Sequence, residues 1–288
     1  MIDALASKSS EMRYKIYYRY KAMYEKNLED VMKSECGSGD FGLALQYLAV
    51  PPHVAEAMML KRGMDGLGTK ERILWPILCG RANDEIVKLK ETYFATFEKD
   101  LGVQLSGELG GDFERLIFHC IQGSEEEMDP EFHTDEKAEA DCEAFYEAGA
   151  GRWGTDEKSL FKIIANSPPE HLATVNDLYV AKHERTLISA LESELGGDVE
   201  KGAMHCVGMK LKPEETVARL IKSTCAGFGT DELGLTCAII RYQSILPEVN
   251  NVHQDLFEKS IQDRIKHEVG GNYKKLLLAI VDFASVTE

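Results

Sequence analysis

Six columns of residues recur four times along this chain, and their spacing dictates helices. One copy reads Leu89, Tyr93, Phe97, Leu101, Leu105 and Glu108. The same columns hold Val175, Tyr179, His183, Leu187, Leu191 and Glu194, then Val249, His253, Phe257, Ile261, Ile265 and Glu268. A first copy holds Ile16, Tyr20, Tyr24, Leu28, Met32 and Glu35. Steps of 4, 4, 4, 4 and 3 residues keep one face on a helix, whereas a strand would alternate. Successive copies lie 73, 86 and 74 residues apart, so the chain is a repeat array. His183 and His253 stand in an aromatic column and are expected in the core rather than on a ligand.

A turn follows each glutamate: ECGSGDF, ELGGDF, ELGGDV and EVGGNY. Glycines of this kind end one helix and let the chain reverse before the next, such as ERLIFHCI or KKLLLAIV. A second motif recurs three times, GLGTKE, GRWGTDE and GFGTDE, each ahead of an apolar helical pattern. Thr69, Thr155 and Thr230 are expected as the N-caps of those helices, with the acids behind them favouring the positive end of the dipole. Each full repeat therefore reads as several short helices, and no segment reads as a sheet. The boundaries expected are a partial repeat at 1–50, repeats at 51–122, 142–212 and 213–288, and a solvated acidic linker at 123–141. The first copy has no glycine loop and no helix ahead of it.

Composition narrows the function. The net charge of −16 disfavours nucleic acid, or an anionic membrane without help, as a partner. Seven cysteines show no CxxC pair and no zinc-like spacing, which suggests reduced, mostly buried thiols in the cytosol. No apolar run approaches the ~20 residues a membrane helix needs, so membrane contact is expected to be peripheral. The pairs His119–Cys120 and His205–Cys206 hint at a nucleophile, but neighbours i and i+1 do not face each other on a helix. Core packing is the expectation there, and no enzyme activity is expected.

The two motifs are spaced alike. Gly68 to Glu108 and Gly154 to Glu194 are 40 residues each, and Gly229 to Glu268 is 39. Glycine-rich loops free backbone carbonyls to converge, and a glutamate from a second loop adds a carboxylate. Such hard oxygen donors suit Ca²⁺ and leave positions open for water or a lipid phosphate.

These stretches resemble the annexin family from about residue 5 to the C-terminus. GMDGLGTKE with ELGGDF, and GRWGTDE with ELGGDV, look like that family's repeat signature. The resemblance implies an all-α fold of four repeats, each of about five short helices, in a curved disk with calcium loops on its convex face. It also implies Ca²⁺ ligands. These are the carbonyls of Met64, Gly66 and Gly68 with Glu108; of Gly149, Arg152 and Gly154 with Glu194; and of Cys225, Gly227 and Gly229 with Glu268. No such site is expected at Glu35. Asp65 replaces a basic residue common in the family, the fourth copy is one residue short, and Asn166 and Ser167 stand where the neighbouring copies carry Arg81 and Arg241.

The function expected is calcium-dependent binding to anionic phospholipid on the cytosolic face of membranes. Three Ca²⁺ ions would change −16 only to −10, so attraction must come from local bridging. Trp75 is expected in the core. Trp153, inside a loop, is expected to meet the lipid headgroups, with Leu67 and Phe228 in the matching loops. A cytoskeletal or scaffold protein of the same fold is the alternative.

Overall fold

The computed structural model describes residues 1–66, 68–151, 154–227 and 229–285. Among them are nineteen helices and no strand. The first copy comprises a single-turn α1 (Ile2–Leu5), then α2 (Ser10–Tyr24), α3 (Leu28–Cys36) and α4 (Asp40–Leu48). The second comprises α5 (Pro52–Met64), α6 (Glu71–Leu78), α7 (Asn83–Phe97), α8 (Leu101–Glu108) and α9 (Gly111–Ile121). The third comprises α10 (Asp135–Ala148), α11 (Glu157–Asn166), α12 (Pro169–His183), α13 (Leu187–Glu194) and α14 (Gly197–Leu211). The fourth comprises α15 (Pro213–Thr224), α16 (Glu232–Arg241), α17 (Leu246–Phe257), α18 (Ile261–Glu268) and α19 (Gly271–Ala284). The chain folds as two compact units, residues 1–62 with 214–288, and residues 63–213.

Helices of 8 to 15 residues are marginal alone and survive by burying a face. The recurring columns are that face. Leu89, Leu101, Leu105, Val175, Leu187, Leu191, Val249, Ile261 and Ile265 are all buried. The aromatic column forms an i, i+4 ring pair in every copy: Tyr20–Tyr24, Tyr93–Phe97, Tyr179–His183 and His253–Phe257, with centroids 4.6–5.0 Å apart. His253 is in the core, as expected. Its Nδ1 lies 2.6 Å from the Lys259 carbonyl, and its Nε2 accepts from Arg264 Nε at 3.0 Å. Burial and the nearby guanidinium hold this imidazole neutral, with its pKa below the usual value. His183 is only half-buried and stacks on Tyr146, 4.1 Å away and nearly parallel.

Four glutamates make the turn after the aromatic pair. Glu25, Glu98, Glu184 and Glu258 cap α2, α7, α12 and α17 with φ of 54–57°. The four glutamates share one column of the repeat, yet the residue type does not announce a left-handed turn, because glutamate has no preference for it. Two residues on, the side chains of Asp100, Thr186 and Ser260 accept from the third amide of the next helix.

Three expectations need correction. Thr69, Thr155 and Thr230 are not the N-caps of α6, α11 and α16; the following residues are. Asp156 and Asp231 accept from the amides of Ser159 and Gly234, while Lys70 has no acceptor and makes no side-chain cap. The acidic stretch 123–141 is not a solvated linker throughout, because Asp135 already begins α10. Its first half is exposed but pinned. Asn83 exchanges two hydrogen bonds with the Glu125 backbone, and the Glu126 amide donates to the Asn166 carbonyl. The buried His133 ring reaches Glu126 at 3.1 Å. Finally, a one-turn helix precedes α2 in the first copy and buries Leu5.

The column of Arg81 and Arg241 also has an answer in the third copy. Arg81 Nε donates to the Ile77 carbonyl, and Arg241 pairs with Glu56. Where Asn166 and Ser167 stand instead, Lys210 of α14 supplies the cation. Its ammonium donates to the carbonyls of Ala165 at 2.9 Å and Ser167 at 2.7 Å, and it pairs with Glu125 at 2.7 Å while almost wholly buried. These last carbonyls of α11 have no partner within the helix, so the lysine closes a helix end as well as an ion pair.

Two outcomes follow for stability in urea unfolding. Lys210→Met leaves Glu125 and two carbonyls without their cation and should cost about 3 kcal/mol. Lys70→Asp supplies the cap that α11 and α16 already have and should add about 1 kcal/mol in metal-free buffer.

Candidate metal site

Each proposed site joins two places that the fold brings together. The first is the end of the helix ahead of the glycine loop. Met64 is the last residue of α5, Gly149 caps α10, and Cys225 follows the last residue of α15. Carbonyls at such an end lack helical partners and are free to face a ligand. The loops then close by one recurring hydrogen bond. The amides of Lys70, Asp156 and Asp231 donate to the carbonyls of Gly63, Ala148 and Thr224 at 2.7–2.8 Å. The third loop is one residue longer between these partners than the other two.

Glycine is required inside the loops. Gly66, Gly68, Gly154, Gly227 and Gly229 have φ between 82° and 110°, where a side chain is strained. A Cβ at each of these five would meet nothing within 4 Å, so the space in front of the backbone is open. At Gly149, by contrast, a Cβ would stand 3.2 Å from Cγ of Glu194, so this glycine lets the carboxylate close on the loop. Leu67, Arg152, Trp153 and Phe228 lie outside the described residues.

The second place is the last residue of α8, α13 and α18, occupied by Glu108, Glu194 and Glu268. Each carboxylate is tied to its glycine loop by the threonine that sequence reading assigned to capping. Thr69 Oγ1 lies 3.2 Å from both the carbonyl and Oε2 of Glu108. Thr155 lies 3.5 and 3.4 Å from the same atoms of Glu194, and Thr230 lies 3.3 and 3.1 Å from those of Glu268. The hydroxyl donates and the carboxylate accepts. The 40- and 39-residue spacings thus correspond to a contact in all three copies. The threonines were in plain view in GTKE and GTDE, but their capping preference pointed elsewhere.

The donor chemistry fits Ca²⁺: carbonyl and carboxylate oxygens, no sulfur or imidazole, and open space before the glycines. No cluster of three or more His, Cys, Asp or Glu side chains able to hold a metal is found among the described residues. A site with one carboxylate per loop is of a different kind. Glu35 in the first copy has no glycine loop opposite it, and α1 ends at Leu5, four residues before the cap of α2 at Ser9.

Of the other predicted residues, Trp75 and His205 sit in the core, while His119 and Cys120 are half-buried. Trp75 is buried, with its indole N–H donating to Asp198 at 3.3 Å. His205 packs edge-on against Trp75, and His119 against Phe161. The neighbouring Cys120 thiol and burial push the Cys206 thiol well above its usual range, which suppresses the thiolate a nucleophile needs.

If the threonine hydroxyl is what holds the carboxylate to the loop, Thr230→Val should destabilise the chain by about 1 kcal/mol and Thr230→Ser should be near neutral. A loss for Thr230→Ser with Thr230→Val near neutral in urea unfolding would place the effect in packing of the methyl group instead.

Comparison with known proteins agrees with this fold. The sequence profile of the family described as Annexin matches residues 55–119, 140–205 and 216–280. Annexin A13 of Homo sapiens is 31% identical over 282 residues, 98% of this chain and 88% of that protein. Annexin A5 of Cynops pyrrhogaster is 30% identical over 97% of this chain and 86% of its own. Among solved structures, annexin III superimposes with a TM-score of 0.88 at 28% identity, covering 97% of this chain and 86% of that one. A calcium-bound structure of annexin (Sm)1 gives 0.81 at 26% identity, over 97% and 83%. With three profile matches along the chain and an alignment spanning nearly all of it, this protein belongs to the annexin family, which is known for calcium-dependent phospholipid binding.

Proposed function

We propose that this protein binds anionic phospholipid membranes through Ca²⁺ held at Glu108, Glu194 and Glu268 with their facing glycine loops. The observation that carries this reading is the recurrence of one contact. In three copies a glycine-loop threonine sits against the carboxylate of a glutamate about 40 residues on. The carbonyls proposed to join each carboxylate are those of Met64, Gly66 and Gly68, of Gly149, Arg152 and Gly154, and of Cys225, Gly227 and Gly229. Bound Ca²⁺ would supply positive charge and coordination positions that a lipid phosphate oxygen can take.

The chain's own residues do the rest. Threonine and the helix end orient the carboxylate, and glycine keeps bulk away from the loop. Without a cation, a net charge of −16 keeps the chain off an anionic surface. Leu67, Trp153 and Phe228, at the loop positions beside the proposed ligands, are the side chains offered to the headgroup layer. No helix among the described residues is long and apolar enough to cross a membrane; the reading is of peripheral attachment on the cytosolic face.

Sedimentation with phosphatidylserine vesicles tests this. Wild type should pellet with calcium and stay soluble with chelator. The Glu108→Gln/Glu194→Gln/Glu268→Gln triple variant should stay soluble in both. In a Trp75→Phe background, Trp153 emission should shift to the blue when calcium and vesicles are added together. A wild type that stays soluble under both conditions would overturn the reading.

A further inference from the structure

The second copy's loop carries a carboxylate that its counterparts lack. Asp65 lies between Met64 and Gly66, two of the residues whose carbonyls are proposed as ligands, and it is exposed. The same place holds Ala226 in the fourth copy, and Ala150 and Gly151 in the third. Connectivity alone therefore puts the backbone of Asp65 at the site. Met64 is buried at the end of α5, which fixes where the loop begins.

A second observation points to the same place. Tyr93 of α7 is wholly buried, yet its hydroxyl has no hydrogen-bond partner among the described residues. A buried hydroxyl left without a partner is costly and calls for an explanation. Burial, and then the charges of Asp65 and Glu108, push this phenol up to about 12, so it lies within range of both carboxylates and keeps its proton. Its counterparts are set differently. Burial raises Tyr179 as well, but there the nearby Arg185 guanidinium opposes the rise. His253 spends its two ring nitrogens on the Lys259 carbonyl and on Arg264. The ring of this column thus has a guanidinium beside it in the third and fourth copies, and two carboxylates in the second.

The oxygens at this loop are already partly assigned. Thr69 takes Oε2 of Glu108. A phenol has one proton to give, and the acceptors left are the other Glu108 oxygen and the Asp65 carboxylate. Two carboxylates at one loop repel each other, and a divalent cation held by both turns that repulsion into attraction. Formal charge then separates the copies. Ca²⁺ with Asp65 and Glu108 sums to zero, whereas Ca²⁺ with Glu194 or Glu268 alone leaves +1. Calcium affinity is tuned by the number of charged ligands. We infer that Asp65 is a further Ca²⁺ ligand in the second copy, that the Tyr93 hydroxyl is a positioning group for the carboxylate pair, and that this site fills first and without lipid. The inference rests on the reading of the glycine loops as calcium sites.

The test is calorimetric titration of the full chain with calcium chloride in the absence of lipid. Wild type should bind one ion about tenfold or more tightly than the rest. Asp65→Asn should weaken that ion by about tenfold or more, Glu108→Gln should remove it, and Glu268→Gln should leave it. The Asp65→Asn loss should persist in about 0.5 M KCl, where a charge acting from a distance is screened. Tyr93→Phe should weaken the same ion about threefold, while the metal-free chain unfolds at the same or a higher urea concentration, because an unpartnered hydroxyl has been removed. Wild-type binding by Asp65→Asn, when Glu108→Gln has lost an ion, overturns the inference and leaves the glycine-loop reading standing. So does an Asp65→Asn loss that salt erases, or a Tyr93→Phe chain with full affinity. A wild type that binds no ion, or ions that survive Glu108→Gln, Glu194→Gln and Glu268→Gln together, overturns both.

Discussion

Everything in this chain depends on short helices burying one side against a neighbour. None is long enough to persist alone, so the position of each is set by the apolar columns that lock it down. The site inherits that precision. Glu108, Glu194 and Glu268 are carried at the last residues of α8, α13 and α18, one turn beyond Leu105, Leu191 and Ile265 in the core. A carboxylate three residues past a buried anchor on a rigid helix has little room to wander. The loops opposite are built on the same principle, since each leaves the end of a packed helix and enters another.

Much of this is visible in the sequence because the repeat makes it so. A single GxGT could be a turn and nothing else. Three of them, each with a glutamate 39 or 40 residues on, are hard to explain unless the two ends meet, and the structure shows that they do. The helical period, the glycine turns and the burial of Trp75 and His253 were readable for the same reason: column identity averages over the noise of any one copy. What was not readable depends on partners distant in the chain. The left-handed glutamates share one column, but their residue type does not report that conformation, which only the surrounding fold forces. Lys210 replaces a missing arginine from 43 residues beyond Ser167, and the pinned acidic stretch depends on Asn83, 42 residues before Glu125. Local composition cannot report such exchanges, and in the case of Gly123–Thr134 it suggested the opposite.

The threonines show why propensity misleads at a functional loop. Threonine before an acidic helix start is a good cap by every local rule, yet the cap moves one residue on to Asp156 or Asp231. That shift leaves the hydroxyl for the glutamate. In the second copy the capping place holds Lys70, which cannot accept, and the loop still closes and Thr69 still reaches Glu108. The hydroxyl-to-carboxylate contact is therefore the more persistent of the two features across the copies, as expected if it serves the site rather than the helix.

The four copies also form an internal comparison of what a shared scaffold can spare. The closing bond of the loop tolerates an extra residue, since the third loop spans eight steps where the others span seven. The Arg81 and Arg241 column tolerates loss when a lysine arrives from another helix. The aromatic columns tolerate histidine in two ways: Lys259 and Arg264 satisfy both ring nitrogens of His253, while His183 is held by stacking on Tyr146. The core column of Ile86, Leu172 and Leu246 tolerates Arg13 in the first copy, where the carbonyls of Leu5 and Lys8 and Oε1 of Gln243 accept from its buried guanidinium.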